Sequence, residues 1–188
     1  MIAVESFKKF RIIDLVIILT LAAIWSLLTL IINKAFDPQY SYILSLLLVT
    51  FSMSFIAYLV RKAGSATIFY ILCGLFTYNI NNFGVVGANK LIIFVISGVV
   101  FELFFLIFKL EVKNIQIDVI IGTAISAAVI PVTIVFLLSF DLALSMVQSL
   151  VNLILLSFLV GLLGAVISFI IWYNLKTSKL VLKYEYRH

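Results

Sequence analysis

The stretch Tyr58-Leu59-Val60-Arg61-Lys62-Ala63-Gly64-Ser65-Ala66 joins two apolar runs through two adjacent cations and a small-residue turn. Such a junction reads as a tight turn between two membrane helices, kept on the cytoplasmic side by its positive charge. The arrangement recurs in both directions. Lys8, Lys9 and Arg11 precede the first of six apolar runs, Lys109 and Lys113 separate the fourth from the fifth, and Lys176, Lys179, Lys183 and Arg187 follow the sixth. With Arg61 and Lys62 these make 11 of the 13 Lys and Arg, and Lys34 and Lys90 alone fall in the other gaps. The bias predicts six spans with both termini cytoplasmic.

The expected architecture is therefore an all-α integral membrane protein, a six-transmembrane-helix bundle oriented N-in/C-in. It forms a single transmembrane domain over residues 1–188, with spans at about 12–33, 42–60, 65–79, 89–108, 117–140 and 147–173. The expected location is the lipid bilayer of the plasma membrane, crossed several times. Composition agrees: 65% of the 188 residues are hydrophobic, and the mean hydropathy is +1.30. No soluble domain fits between the runs. The net charge of +5 does not point to nucleic acid, because the cations are the cytoplasmic flanks of the spans. The segment from Ile12 to Ile32 is longer than a signal-peptide core and lacks a small-residue cleavage site, so it reads as a retained first helix. Asp37-Pro38 reads as an outer turn, and Pro131 as a kink in span five. Span three is short for a full crossing.

Enzymatic chemistry has little footing. The chain carries no G-x-x-x-x-G-K-[ST], no H-E-x-x-H and no G-x-S-x-G, and its one histidine is the terminal His188. The expectation is a protein that is not an enzyme and has no catalytic residues, metal or cofactor. Cys73 lies inside an apolar run and reads as packing.

The polar residues inside the spans carry the remaining signal. Glu102 lies seven residues before Lys109, roughly 10 Å along a helix from its inner edge. It reads either as a ligand-binding or proton-binding carboxylate or as a hydrogen-bonded tie between helices. Tyr78-Asn79-Ile80-Asn81-Asn82-Phe83-Gly84, with Asn89, offers amide donors and acceptors suited to an uncharged heterocycle; the alternative is a hydrophilic turn. Trp25, Tyr40, Tyr42, Tyr78 and Phe83 fall near the outer ends of spans, placed either to stack on a flat ligand or to form an interfacial belt. Gln148 and Asn152 share one helical face and either line the same pocket or bond between helices. Ala22-x-x-x-Ser26, Gly161-x-x-x-Ala165 and Gly164-x-x-x-Ser168 allow close helix approach, within the bundle or to a partner. Asp14 and Asp118 read as helix caps.

Taken together, six spans, both ends inside and no ATPase motif resemble the substrate-binding S components of energy-coupling factor (ECF) transporters, most of all the thiamin/hydroxymethylpyrimidine-like group. The local likeness lies in Ala57-Tyr58-Leu59-Val60-Arg61-Lys62-Ala63-Gly64-Ser65-Ala66, in Gly98-x-x-x-Glu102 with Lys109, and in Gly161-Leu162-Leu163-Gly164-Ala165. The resemblance implies a subunit of an ECF-type ABC importer that captures a vitamin or vitamin precursor from outside. It implies partners too: a transmembrane T protein and two cytoplasmic ATPases. Glu102 would sit at the pocket floor, so that Glu102→Gln weakens binding, and the Asn79–Asn89 loop would lie near the entrance. Ala22-x-x-x-Ser26 would stand where the family carries an Ala-x-x-x-Ala docking motif, with Ser replacing the second Ala. The rival readings are a stand-alone proton-coupled carrier with Glu102 as its proton site, and a non-transporting structural subunit.

Overall fold

The computed structural model describes residues 10–108, 111–112, 115–138 and 144–176. Lys8, Lys9, Lys109, Lys113, Lys179, Lys183, Arg187 and His188 lie outside the described residues, as do the last two residues of the expected fifth span. Among the described residues six helices follow one another: α1 (Ile12–Ala35), α2 (Pro38–Val60), α3 (Ser65–Phe76), α4 (Ala88–Phe108), α5 (Ile117–Leu138) and α6 (Leu144–Leu175). Five of them, all but α3, are long and apolar enough to cross a membrane. A short antiparallel hairpin, β1 (Glu111–Val112) with β2 (Ile115–Gln116), joins α4 to α5 and was not anticipated.

Local chemistry accounts for the boundaries. Asp14 occupies the third position of α1, and its carboxylate accepts a hydrogen bond from the Arg11 amide at 2.8 Å, closing the first turn. Pro38, expected in a turn, is instead the first residue of α2. Its fixed φ suits a position whose N–H has no intrahelical partner. Helix α2 stops at Arg61, a non-glycine residue with φ 49°, and α3 starts after Gly64 at φ 90°. Two consecutive left-handed corners reverse the chain within four residues. Helix α3 ends at Phe76, three residues before the expected end of its span. Helix α5 continues through Pro131, and the Thr133 hydroxyl donates to the Ile130 carbonyl at 2.8 Å nearby.

Helix α2 is the hub, packing against α1, α3, α5 and α6, while α4 bridges α3 to α5. Contacts sort the helix ends into two layers. Asp14 with Lys62, Glu102 with Ala66, and Arg61 over Trp172 gather the starts of α1 and α3 and the ends of α2, α4 and α6 at one end. Lys90 with Thr77 and Tyr42 with Ser157 mark the other.

Small residues and hydroxyls hold the bundle from within. A Cβ at Gly161 would stand 2.6 Å from Ala127 Cβ, and one at Gly164 would stand 2.3 Å from Thr50 Oγ1 and 3.1 Å from the Leu47 carbonyl oxygen. The stripe Gly161-x-x-x-Ala165 and its neighbour Gly164-x-x-x-Ser168 thus face α5 and α2 inside the molecule. Ser54 pairs with Thr123 at 2.8 Å, tying α2 to α5, and Ser126 donates to the Ser97 carbonyl at 2.9 Å, tying α5 to α4. Gly164→Ala is expected to cost about 1–3 kcal/mol by overpacking a backbone contact. Leu163→Ala, on the exposed face of the same helix, should cost less than about 0.5 kcal/mol. Thermal unfolding of both variants in one detergent checks the difference.

Candidate functional site

Helix α3 has 12 residues and so extends for about 18 Å, well short of a ~30 Å hydrocarbon layer. Its end amides and carbonyls therefore need partners from the protein. Helix α4 runs antiparallel beside it and supplies both. The Glu102 carboxylate accepts from the Ala66 amide at 2.9 Å, in the first turn of α3. The Lys90 ammonium donates to the Thr77 carbonyl at 2.9 Å, at the other end of α3, to the Ile80 carbonyl at 2.8 Å, and to Asn82 Oδ1. Lys90 and Glu102 are 12 positions apart, matching the length of the helix they hold. Negative charge at the N-terminus and positive at the C-terminus also complement the dipole of α3. Lys90 is fully buried, and its three donors have three acceptors.

Around Lys90 lies an aromatic cluster. Its ammonium sits 5.9 Å from the Phe83 ring centre and 6.0 Å from that of Phe94. Phe94 meets Trp25 at 5.9 Å and Phe83 at 5.6 Å, both edge-on, and Tyr70 at 5.6 Å. Phe83 meets Tyr42 edge-on at 5.6 Å. Four helices and one loop thus deliver five rings to one place. Each ring with a polar tip is anchored: Trp25 Nε1 donates to the Ser45 carbonyl at 3.2 Å, Tyr42 pairs with Ser157 at 2.8 Å, and Tyr70 pairs with Ser126 at 3.2 Å. Six buried polar atoms on the same elements, Thr29 Oγ1, Ser45 Oγ, Tyr58 Oη, Asn82 Nδ2, Ser97 Oγ and Glu102 Oε2, have no hydrogen-bond partner among the described residues. Such atoms are costly unless something bonds them.

Of the residues singled out from the sequence, Trp25, Tyr42, Asn82 and Phe83 converge here. Tyr78, Asn79 and Asn81 are exposed on the outside of the loop, and Tyr40 is exposed at the start of α2. Gln148 and Asn152 do share a face of α6, but it points out of the bundle. Glu102, 7% exposed, is about 18 Å along α4 from Lys90 and belongs to the opposite end. Its engagement with α3 fits the reading of a tie between helices. Ala22 is buried with Ile18, Trp25 and Thr29 on the inward stripe of α1, so it packs within the chain, while Ser26 sits at the edge and bonds the Ala23 carbonyl at 2.8 Å. Cys73 is fully buried, and Asp118 accepts from the Val119 amide at 2.9 Å. Asp14 caps α1 as expected, but it also forms a buried ion pair with Lys62 across to the α2–α3 turn.

Lys90, Tyr70, Phe94, Ser45 and Ser97 escaped the sequence reading. Lys90 had a usable signal: it was a basic residue in a gap otherwise poor in charge, four positions before an aromatic on the same helical face. Among the described residues no group of three or more His, Cys, Asp or Glu is placed to hold a metal. Comparison with protein-family models, with curated proteins and with solved structures yields no match.

Proposed function

We propose that this chain is a membrane-embedded binding subunit for a small planar ligand, of the kind that serves as the S component of an ECF-type ABC importer. One observation carries the reading: five aromatic rings meet in one half of an apolar bundle, and Asn82, which bonds the Lys90 ammonium beside them, keeps a buried Nδ2 with no partner among the described residues. Ring faces and edges favour a flat molecule, and the amide group gives it hydrogen-bonding specificity. The helical carboxylates Asp14, Glu102 and Asp118 sit at the other end, so the cluster suits an uncharged ring of the hydroxymethylpyrimidine type better than a cation that needs a counter-charge. The site proposed here is therefore the Phe94 cluster, with Glu102 holding α3 in place beneath it.

The proposed orientation puts both termini and the α2–α3 turn in the cytoplasm and opens the cluster outward. Lys90 and Lys62 are both buried and paired, so neither counts as a flanking charge, and the basic bias becomes 10 to one. In this reading the T protein docks on the exposed apolar side of α1, which includes Leu19, Leu27 and Leu30, with Ser26 at its edge; the two ATPases act through the T protein.

Native mass spectrometry of the detergent-purified chain, before and after incubation with thiamin, hydroxymethylpyrimidine and a wider vitamin panel, tests the proposal. A stoichiometric small-molecule adduct supports it. A chain that stays bare, or one that alone drives proton-dependent uptake into liposomes, overturns it in favour of a structural subunit or a stand-alone carrier.

A further inference from the structure

The loop between α3 and α4 is built like a stopper. Its neck is closed by the Gly87 amide donating to the Tyr78 carbonyl at 2.9 Å. Between these points the chain alternates: Asn82, Phe83 and Val85 are buried, while Asn81, Gly84 and Val86 face out. Gly84 (φ 75°) and Gly87 (φ 70°) take left-handed conformations on the limb that follows Phe83. Phe83 therefore descends between Tyr42 and Phe94, into the middle of the ring cluster. Two of the three bonds of Lys90 go to this loop, one to the Ile80 carbonyl and one to the Asn82 side chain.

We infer that Phe83 is a plug on a hinged loop, latched by Lys90 through Asn82 and Ile80, and that a ligand reaches the Phe94 cluster by displacing it. The inference rests on the binding-site reading proposed above. The ring of Phe83 and an incoming flat ring compete for the same edges of Tyr42 and Phe94. The Asn82–Lys90 bond is the side-chain part of the latch, so it sets how often the plug lifts. The backbone carbonyl of Thr77, at the end of α3, keeps Lys90 in place when the latch opens.

Cys73 is the chain's single cysteine. It is buried one turn before Thr77 on α3 and reports opening without any ligand. The experiment measures the rate at which N-ethylmaleimide modifies Cys73 in the full chain in detergent, below its unfolding transition. Asn82→Ala removes the side-chain latch and is expected to raise the rate about tenfold, the size of one hydrogen bond to a charged group. Asn82→Asp places a carboxylate opposite the ammonium and is expected to slow modification, which keeps the test intact should Asn82→Ala fold poorly. Asn79→Ala and Asn81→Ala, on the outer face, should match the parent. Equal rates for the parent, Asn82→Ala and Asn82→Asp overturn the latch, as does acceleration by the outer-face variants. The same proteins incubated with thiamin and hydroxymethylpyrimidine separate the two readings. Binding by the parent together with unchanged Cys73 rates removes the plug and leaves the site. Latch-dependent rates with no binding to any vitamin leave the hinged loop and remove the ligand site.

Discussion

Lys90→Met is expected to destabilise the bundle by on the order of 4 kcal/mol and to fray the C-terminal turn of α3. The estimate follows from what the ammonium satisfies. The Thr77 carbonyl, the Ile80 carbonyl and Asn82 Oδ1 all accept from it in a buried setting. The Thr77 carbonyl keeps the Ile80 amide at 2.9 Å, so two acceptors lose their donor, and each buried acceptor left without one costs about 1–3 kcal/mol. Methionine fills most of the space and keeps contact with Phe83 and Phe94, so cavity formation contributes little. Hydrogen–deuterium exchange checks the location of the effect: faster exchange should begin around Thr77 and Tyr78 and spare the amides near Ala66, which Glu102 holds. Uniform acceleration along α3 would instead mean that Lys90 supports the bundle generally and does not cap that end.

At the other end, Asp14→Ala is expected to cost about 3–5 kcal/mol, because it leaves the Lys62 ammonium buried without its carboxylate. The same substitution removes the acceptor for the Arg11 amide and so opens the first turn of α1. Other polar links of helix α1 to the bundle include the Trp25 bond to the Ser45 carbonyl and the Ser41 bond to Asn33 Oδ1. Lys62→Met alone should be comparably harmful. The double variant Asp14→Ala with Lys62→Met should be less destabilised than the sum of the two, since no buried charge is then stranded. Unfolding of the four proteins in detergent gives the coupling energy. Strict additivity would mean that the pair does not bind α1 to the α2–α3 turn.

Much of the fold was legible. Charge in alternate gaps marked the turns, and all six starts or ends near those turns fall within two residues of expectation, because a cation at a helix edge is a local signal. The shortness of α3 was legible from the distance between Ser65 and the Asn-rich loop. The site was legible only in part. These helices are apolar on every side, so hydrophobic periodicity does not say which face turns inward. That is why Gln148 and Asn152 were correctly put on one face while the direction of that face was open, and why Trp25 was readable as belt or as pocket, with the belt the favoured reading. Glu102 and Lys90 form a matched pair only once α3 and α4 lie side by side. In the sequence they are one carboxylate near a basic edge and one cation in the wrong gap. The β1–β2 hairpin left no trace because two residues per strand are too few for an alternating pattern.

Ligand titration separates the two ends of the molecule as candidate sites. In a Trp172→Phe background, Trp25 is the one remaining tryptophan and reports occupancy of the cluster through its fluorescence. Thiamin and hydroxymethylpyrimidine are titrated into this protein, into its Phe94→Ala variant and into its Glu102→Gln variant. The expected result is saturable quenching, an affinity about 30-fold weaker for Phe94→Ala, as for loss of a buried aromatic anchor worth about 2 kcal/mol, and a change of less than about threefold for Glu102→Gln, well under 1 kcal/mol. The opposite order, with binding abolished by Glu102→Gln and indifferent to Phe94→Ala, would move the site to the far end of α4 and contradict the account.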